Sequence, residues 1–123
     1  MDYKQLIKIM KTYGEAWEKQ DSALLLSIFD KNATYRVTPF ENPMKDHKAI
    51  KEYWEKFPQK DQKNIKFKLG QCNVCDKTGY AEWSCTFDQV SSGKLTELRG
   101  IIIITLKNDK IKSLHEYWHH EKK

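Results

Sequence analysis

The order of the hydrophobic periods constrains this chain most. Two helical stretches, one strand and a third helical stretch are followed by strands alone. Tyr3, Leu6, Ile7, Met10, Tyr13 and Trp17 fall at three- and four-residue steps, while Lys4, Lys8, Lys11, Glu15 and Lys19 mostly face away. That spacing lays one apolar stripe along an amphipathic helix. Gly14 sits inside it, where glycine costs about 1 kcal/mol against alanine, so a close neighbour that excludes a Cβ is expected there. The helix stops at Asp21, whose carboxylate can cap a second helix from Ser22 to Phe29. The second helix is apolar nearly all round and is expected to be the most buried. Ala33, Tyr35 and Val37 alternate with Thr34, Arg36 and Thr38, as in a strand with one buried face. Pro39 and Pro43 bracket a loop, and Asp46 suits the N-cap of a third helix. The inner face of that helix is Ala49, Ile50, Tyr53, Trp54 and Phe57, and Pro58 follows its end.

The remainder reads as four antiparallel strands. Ile65, Phe67 and Leu69 alternate with lysines, and the apolar phase then slips by one at Gly70-Gln71 so that Cys72 and Val74 continue it. A β-bulge at Gly70 would produce that slip and bend the strand. Ala81, Trp83, Cys85 and Phe87 alternate with Glu82, Ser84, Thr86 and Asp88, and Ser91-Ser92-Gly93 turns the chain. Leu95 to Leu106 is a long strand whose centre, Ile101 to Ile104, is apolar on both faces. Asn108-Asp109 supplies the next turn, and Ile111 to His119 closes the sheet. A strand apolar on both faces must be covered on both. The helices can cover one face, and a second copy of the sheet is the simplest cover for the other. The expectation is a homodimer through the face carrying Ile101 and Ile103.

The 123 residues make one domain, 1–123, with no linker, repeat or low-complexity run. Charges at Asp2, Lys4 and Lys8 come too early for the apolar region of a signal peptide. The longest wholly apolar run, Ile101 to Ile104, falls far short of the ~20 residues a membrane helix needs. A soluble cytoplasmic protein without a membrane partner is expected. The net charge is +5, yet all but Arg36 and Arg99 of the 22 basic residues are lysines scattered over helix backs and strand exteriors. Arginine does much of the specific reading of bases and phosphates, so a solvated surface is expected rather than a nucleic-acid face. Three cysteines suit a reducing compartment. Cys72 and Cys75 are spaced like half a zinc site, but no second pair exists. His115 and His119 lie ~13 Å apart along a strand at ~3.3 Å per residue, too far to share a metal. Neither a metal nor a cofactor is expected, and no phosphate-binding glycine loop or nucleophile elbow occurs.

Helix, helix, strand, helix and then strands, with Tyr13, Trp17, Asp21, Phe29 and Ala33 in the opening segment, resembles the NTF2-like superfamily and its SnoaL-like members over nearly the whole chain. The resemblance implies an α+β, cystatin-like cone: three N-terminal helices packed on a strongly curved, mostly antiparallel mixed sheet around a pocket. Within that superfamily the pattern is similar to ketosteroid isomerase. Tyr13, eight residues before Asp21, falls on the tyrosine that donates to the substrate oxyanion. Phe29, Ala33 and Thr34 match a Phe-x3-Ala-Thr step, and Tyr117-Trp118 match the end of the last strand. The departures fall on the chemistry. Val37 stands at the general-base aspartate and Ile102 at the protonated aspartate of the oxyanion hole. A valine abstracts no proton and an isoleucine donates no hydrogen bond, so that mechanism does not carry over.

The same resemblance implies which side chains point inward. From the helices these are Tyr13, Trp17, Tyr53 and Trp54, and from the first strand region Phe29, Tyr35 and Val37. The later strands supply Trp83, Cys85, Phe87, Ile102, Leu114, Glu116 and Trp118. Such a wall suits an apolar or aromatic small molecule, with tyrosine hydroxyls to orient it. Glu116 shares strand parity with Leu114 and Trp118. A carboxylate among rings has its pKa raised and can act as acid or base near neutral pH, so Glu116 and Tyr13 are the candidate catalytic pair. Three readings follow: a ligand-binding domain with an aromatic-lined cavity, a lyase, isomerase or hydrolase using Glu116 and Tyr13, and a dimeric scaffold or delivery module with a filled cone.

Overall fold

A computed structural model describes residues 1–123. Helix α1 (Tyr3–Lys19) opens on a capping box: the Gln5 N–H donates to the Asp2 carboxylate at 2.8 Å, and the Gln5 side chain accepts from the Asp2 N–H. Its buried stripe is Leu6, Ile9, Met10, Tyr13, Ala16 and Trp17. Ile9 is therefore an inner residue that the three- and four-step reading passed over, and Tyr3 is exposed. The helix ends at Gln20 in the left-handed region (φ 53°), and the Gln20 amide donates to the carbonyls of Pro58, Gln59 and Gln62. Those bonds tie the end of α1 to the segment that follows the third helix.

Helix α2 (Ser22–Leu26) is capped by Asp21, which accepts from the Leu24 N–H at 3.0 Å. It is shorter and less buried than its composition implies. Of its five residues only Leu25 is buried, because the Ile111 N–H takes the Ile28 carbonyl at 2.8 Å and draws the chain into the sheet at Phe29. Strand β1 (Phe29–Arg36) therefore begins where a helix end was expected, and Val37 lies just past it. A two-residue strand β2 (Met44–Lys45) precedes helix α3 (Asp46–Trp54). Asp46 has φ 71°, which is not helical, and its carboxylate accepts from the Ala49 N–H at 3.1 Å. It serves as the cap. Pro58 does not follow a clean helix end. It is buried inside a π-helical turn, Glu55–Gln59, whose wider winding accommodates a residue without an N–H. Phe57 is 44% exposed there and borders the cleft between the helices and the sheet.

Strands β3 (Gln62–Cys75), β4 (Thr78–Gln89), β5 (Lys94–Lys107) and β6 (Lys110–Lys122) complete one six-stranded sheet in the order β2-β1-β6-β5-β4-β3. Every pairing is antiparallel except β1 with β6. The β3–β4 register shifts between Leu69 and Cys72, at the expected bulge, and again between Lys63 and Lys66. Ser91–Gly93 turns the chain with Gly93 at φ 68°, and Asn108 and Asp109 both have positive φ, as a type I′ hairpin requires. β6 runs three residues past His119, and its charged end stays in register with β5 as far as Lys122 opposite Thr96. No helix is long and apolar enough to cross a membrane.

Alpha1 lies across β3, and Gly14 marks the contact: a Cβ there would stand 2.3 Å from Cδ1 of Phe67. The core lies between the helices and the inner sheet face and includes Leu25, Ile50, Ile104 and Ile111. Ile102 and Ile104 face it, whereas Ile103 is half-buried and Ile101 is 37% exposed on the outer face.

Candidate functional site

At the open end of the cone a cleft of about 550 Å³ lies between α1, α3 and the inner face of the sheet. Three chain segments meet at its floor. Tyr13 comes from the middle of α1, held down where Gly14 lets the helix approach β3. Tyr35 comes from β1. Glu116 comes from β6, the strand next to β1, two residues past the register partner of Tyr35. The Tyr13 hydroxyl donates to Glu116 Oε1 at 2.7 Å and the Tyr35 hydroxyl donates to Oε2 at 3.0 Å. The two hydroxyls are themselves 3.0 Å apart.

Glu116 is 5% exposed and is the one charged residue among the buried ones. Burial pushes its pKa from 4.5 up to about 7, against the pull of the two tyrosine hydrogen bonds, which favour the ionised form. Burial also drives the Tyr13 and Tyr35 phenols well above their ordinary value, and the neighbouring carboxylate adds to this. The three contacts set how the protons can be shared. Two hydroxyls supply two protons, which serve two of the three contacts when Glu116 is ionised. A protonated carboxyl supplies the third: one of the two tyrosine–carboxyl contacts then reverses, and the carboxyl and each hydroxyl donate once and accept once. Burial favours the neutral acid.

Aromatic rings form the walls. Trp54 stands nearly perpendicular to Tyr13 (5.6 Å, 87°), to Trp17 (5.7 Å, 79°) and to Tyr35 (6.5 Å, 88°). Phe67 stacks on Trp83 (6.1 Å, 13°). The Trp17 indole donates to Gln62 Oε1 at 2.7 Å, whereas the indole N–H groups of Trp54 and Trp83 are buried without a partner. The mouth is polar and mixed in charge, with Glu41 and Asn42 from the loop after β1, Asp61 and Gln62 at the start of β3, and His120 and Lys122 from β6.

Tyr13, Trp17, Tyr35, Val37, Tyr53, Trp54, Trp83, Phe87, Glu116 and Trp118 all border this cleft, Trp118 at its exposed rim. Phe29, Cys85, Ile102 and Leu114 do not. They are almost wholly buried in the packed core. Strand parity puts a side chain on the inner face, but the helix above it decides whether that side chain meets space or another side chain. Thr96 and Leu98 border the cleft from β5 and were missed, although they share the parity of Ile102. Asp61, Gln62 and Glu41 carry no periodic signal. His115 faces away from Glu116 and pairs in register with Arg36; burial and the Arg36 charge lower its pKa. No three His, Cys, Asp or Glu side chains converge as metal ligands would.

Residues 10–114 match the profile of the SnoaL-like domain. No curated protein matches the chain in sequence. Several solved structures share its fold at low identity. A proposed isomerase from Bacillus subtilis superposes with a TM-score of 0.84 at 16% identity, covering 97% of this chain and 90% of its own. SalBIII, an epoxide hydrolase/cyclase-like enzyme of pyran ring formation in polyether salinomycin, gives 0.82 at 15% identity, covering 96% and 93%. A protein from Catenulispora acidiphila with a ketosteroid isomerase-like fold, in complex with trimethylamine, gives 0.79 at 13% identity, covering 89% and 83%.

Proposed function

The chain belongs to the SnoaL-like family, with an NTF2-like fold, and from that premise we propose that it binds a small apolar ringed molecule in the aromatic cleft. One observation carries this reading: a buried carboxylic acid, held by two tyrosine hydroxyls, forms the floor of a cleft of about 550 Å³ walled by tryptophans. A cleft of that size with apolar walls and a few convergent polar groups is the usual form of a small-molecule site. Relatives of this fold are described as a proposed isomerase, as an epoxide hydrolase/cyclase-like enzyme and in complex with trimethylamine, which agrees with a ligand in the cone. The test is a titration of intrinsic tryptophan fluorescence with a panel of ringed compounds. Trp17, Trp54, Trp83 and Trp118 all border the cleft, so a ligand should quench or shift their emission saturably. A panel without any response would favour the filled-cone scaffold.

A second reading is acid–base catalysis by Glu116 and Tyr13, favoured by the Glu116 pKa near 7 and its 2.7 Å contact to Tyr13. A group that titrates near the working pH both gives and takes protons efficiently. Turnover lost in Glu116→Gln with ligand binding retained would support it. The resemblance to ketosteroid isomerase does not extend to its aspartates: Val37 borders the cleft and Ile102 lies buried opposite Glu116 in the β5–β6 pairing.

The outer sheet face supports a homodimer. Leu95, Ile101 and Tyr117 are exposed there beside the half-buried Ile103, and Ile101 and Tyr117 are register partners. Sedimentation at tens of micromolar should give a dimer that Ile101→Lys dissociates; a monomeric parent protein would end this reading.

A further inference from the structure

We propose that the ligand is an organic cation, an amine or quaternary ammonium bearing an apolar ring, whose nitrogen sits against the Glu116 carboxylate between tryptophan walls. This rests on the small-molecule reading above and names the class of ligand. The ion pairs of the protein are all on the surface, Lys19 with Glu15 and both Arg99 and Lys123 with Glu97, and none involves Glu116. A buried carboxylate without a countercharge must hold a proton or accept a cation from outside. Burial of Glu116 between the two tyrosine hydroxyls favours the first state.

The second state is also built in. An ionised carboxylate has about four acceptor positions, and the tyrosines occupy two. Trp17 stands at 79° to Trp54 and at 60° to Trp83, all three border the cleft, and the faces of such rings attract cations, tryptophan most strongly. No basic group hydrogen-bonds or ion-pairs with Glu116. The groups that feel the Glu116 charge are Tyr13 from α1, Tyr35 from β1, Tyr53 from α3 and Cys85 from β4, all raised above their ordinary values. Near neutral pH all four stay neutral, so Glu116 is the floor group that changes charge. The charged groups at the mouth are Glu41, Asp61, Arg36 and Lys122, with His120 beside them. The proton on Glu116 is thus a place-holder. The cation enters, the carboxyl ionises, and the proton leaves to solvent.

The test compares phenyltrimethylammonium with its neutral isostere tert-butylbenzene by tryptophan fluorescence, at about pH 5.5 and about pH 8.5. With Glu116 titrating near 7, the cation should bind at least about tenfold more tightly than the isostere at the higher pH. Its affinity should fall by about tenfold or more at the lower pH, while the isostere changes little. Glu116→Gln should bind both probes alike and show no pH slope. If Glu116→Gln does not fold, the pH slope of the parent protein decides. The isostere binding as well as the cation would overturn this proposal and leave the small-molecule reading standing. A cation preference flat in pH, or one that survives Glu116→Gln, would overturn it too. Failure of both probes would count against the small-molecule reading itself.

Discussion

Replacing Glu116 by glutamine should make the protein more stable at alkaline pH. In the unfolded chain a glutamate loses its proton near 4.5, and in the folded protein burial holds that proton until about 7. Between those values the folded state binds more protons than the unfolded state, so stability declines as pH rises through this window. Below it the carboxyl is protonated in both states and nothing is lost; above it the loss is complete. The gap, at about 1.4 kcal/mol per pKa unit, amounts to about 3 kcal/mol. Glutamine mimics the protonated acid. Its oxygen accepts from one tyrosine and its amide donates to the other, so the hydrogen-bonded ring closes at every pH.

The assay is urea unfolding of both proteins from about pH 4.5 to about pH 8.5. Other titrating groups, His115 among them, affect both curves alike, so their difference isolates Glu116. The curves should meet at the acid end and diverge until the variant leads by about 3 kcal/mol above neutrality, roughly a 10 °C higher midpoint in a thermal scan. Parallel curves, or a variant less stable at alkaline pH, would mean that Glu116 is ionised and well solvated in the folded protein. The neutral-acid account of the floor would then be wrong.

Three further outcomes follow from the packing. Tyr35→Phe removes a hydrogen bond that favours the ionised carboxyl, so the Glu116 titration, read from its carboxyl carbon shift by NMR, should move further upward. Gly14→Ala gains about 1 kcal/mol of helix propensity, but its Cβ would stand 2.3 Å from the Phe67 ring. A net loss of about 1–2 kcal/mol in chemical denaturation is expected, with altered Trp83 fluorescence because Phe67 stacks on that ring. Asp21→Ala removes the cap of α2 and should lower the thermal midpoint, at a cost of about 1 kcal/mol.

The fold was legible where a physical rule leaves one solution. Alternation fixed the inner faces of β4 and β5, and the phase slip at Gly70 marked a real register shift. Asp21 and Asp46 marked helix starts through their carboxylates. The errors lie where tertiary pairing competes with local pattern. The apolar run after Asp21 reads as a long buried helix, yet Phe29 is claimed by β6. The charged tail past His119 looks too polar to pair, but the β5 backbone holds it and Glu97 meets Lys123. Glu116 was visible from parity with Leu114 and Trp118. The role of Tyr35 at Oε2 was not, because it depends on the parallel register of β1 and β6. The mouth, with Glu41, Asp61 and Gln62, follows from loop geometry that carries no periodic signal.

That parallel pairing has a consequence for how the molecule is made. β1 cannot meet its inner neighbour until β6, the last strand of the sheet, has been synthesised. Tyr13 and Glu116 are 103 residues apart and Tyr35 and Glu116 are 81 apart. Until then one side of β1 is an unpaired edge, open to any other strand. A chain that ends before β6 carries the three helices and strands β1 to β5 but lacks the strand that joins them in one sheet. Contacts of such long sequence separation slow folding. The cleft floor therefore needs both ends of the domain, and a chain interrupted before β6 has no floor on which a ligand could act as a folding aid.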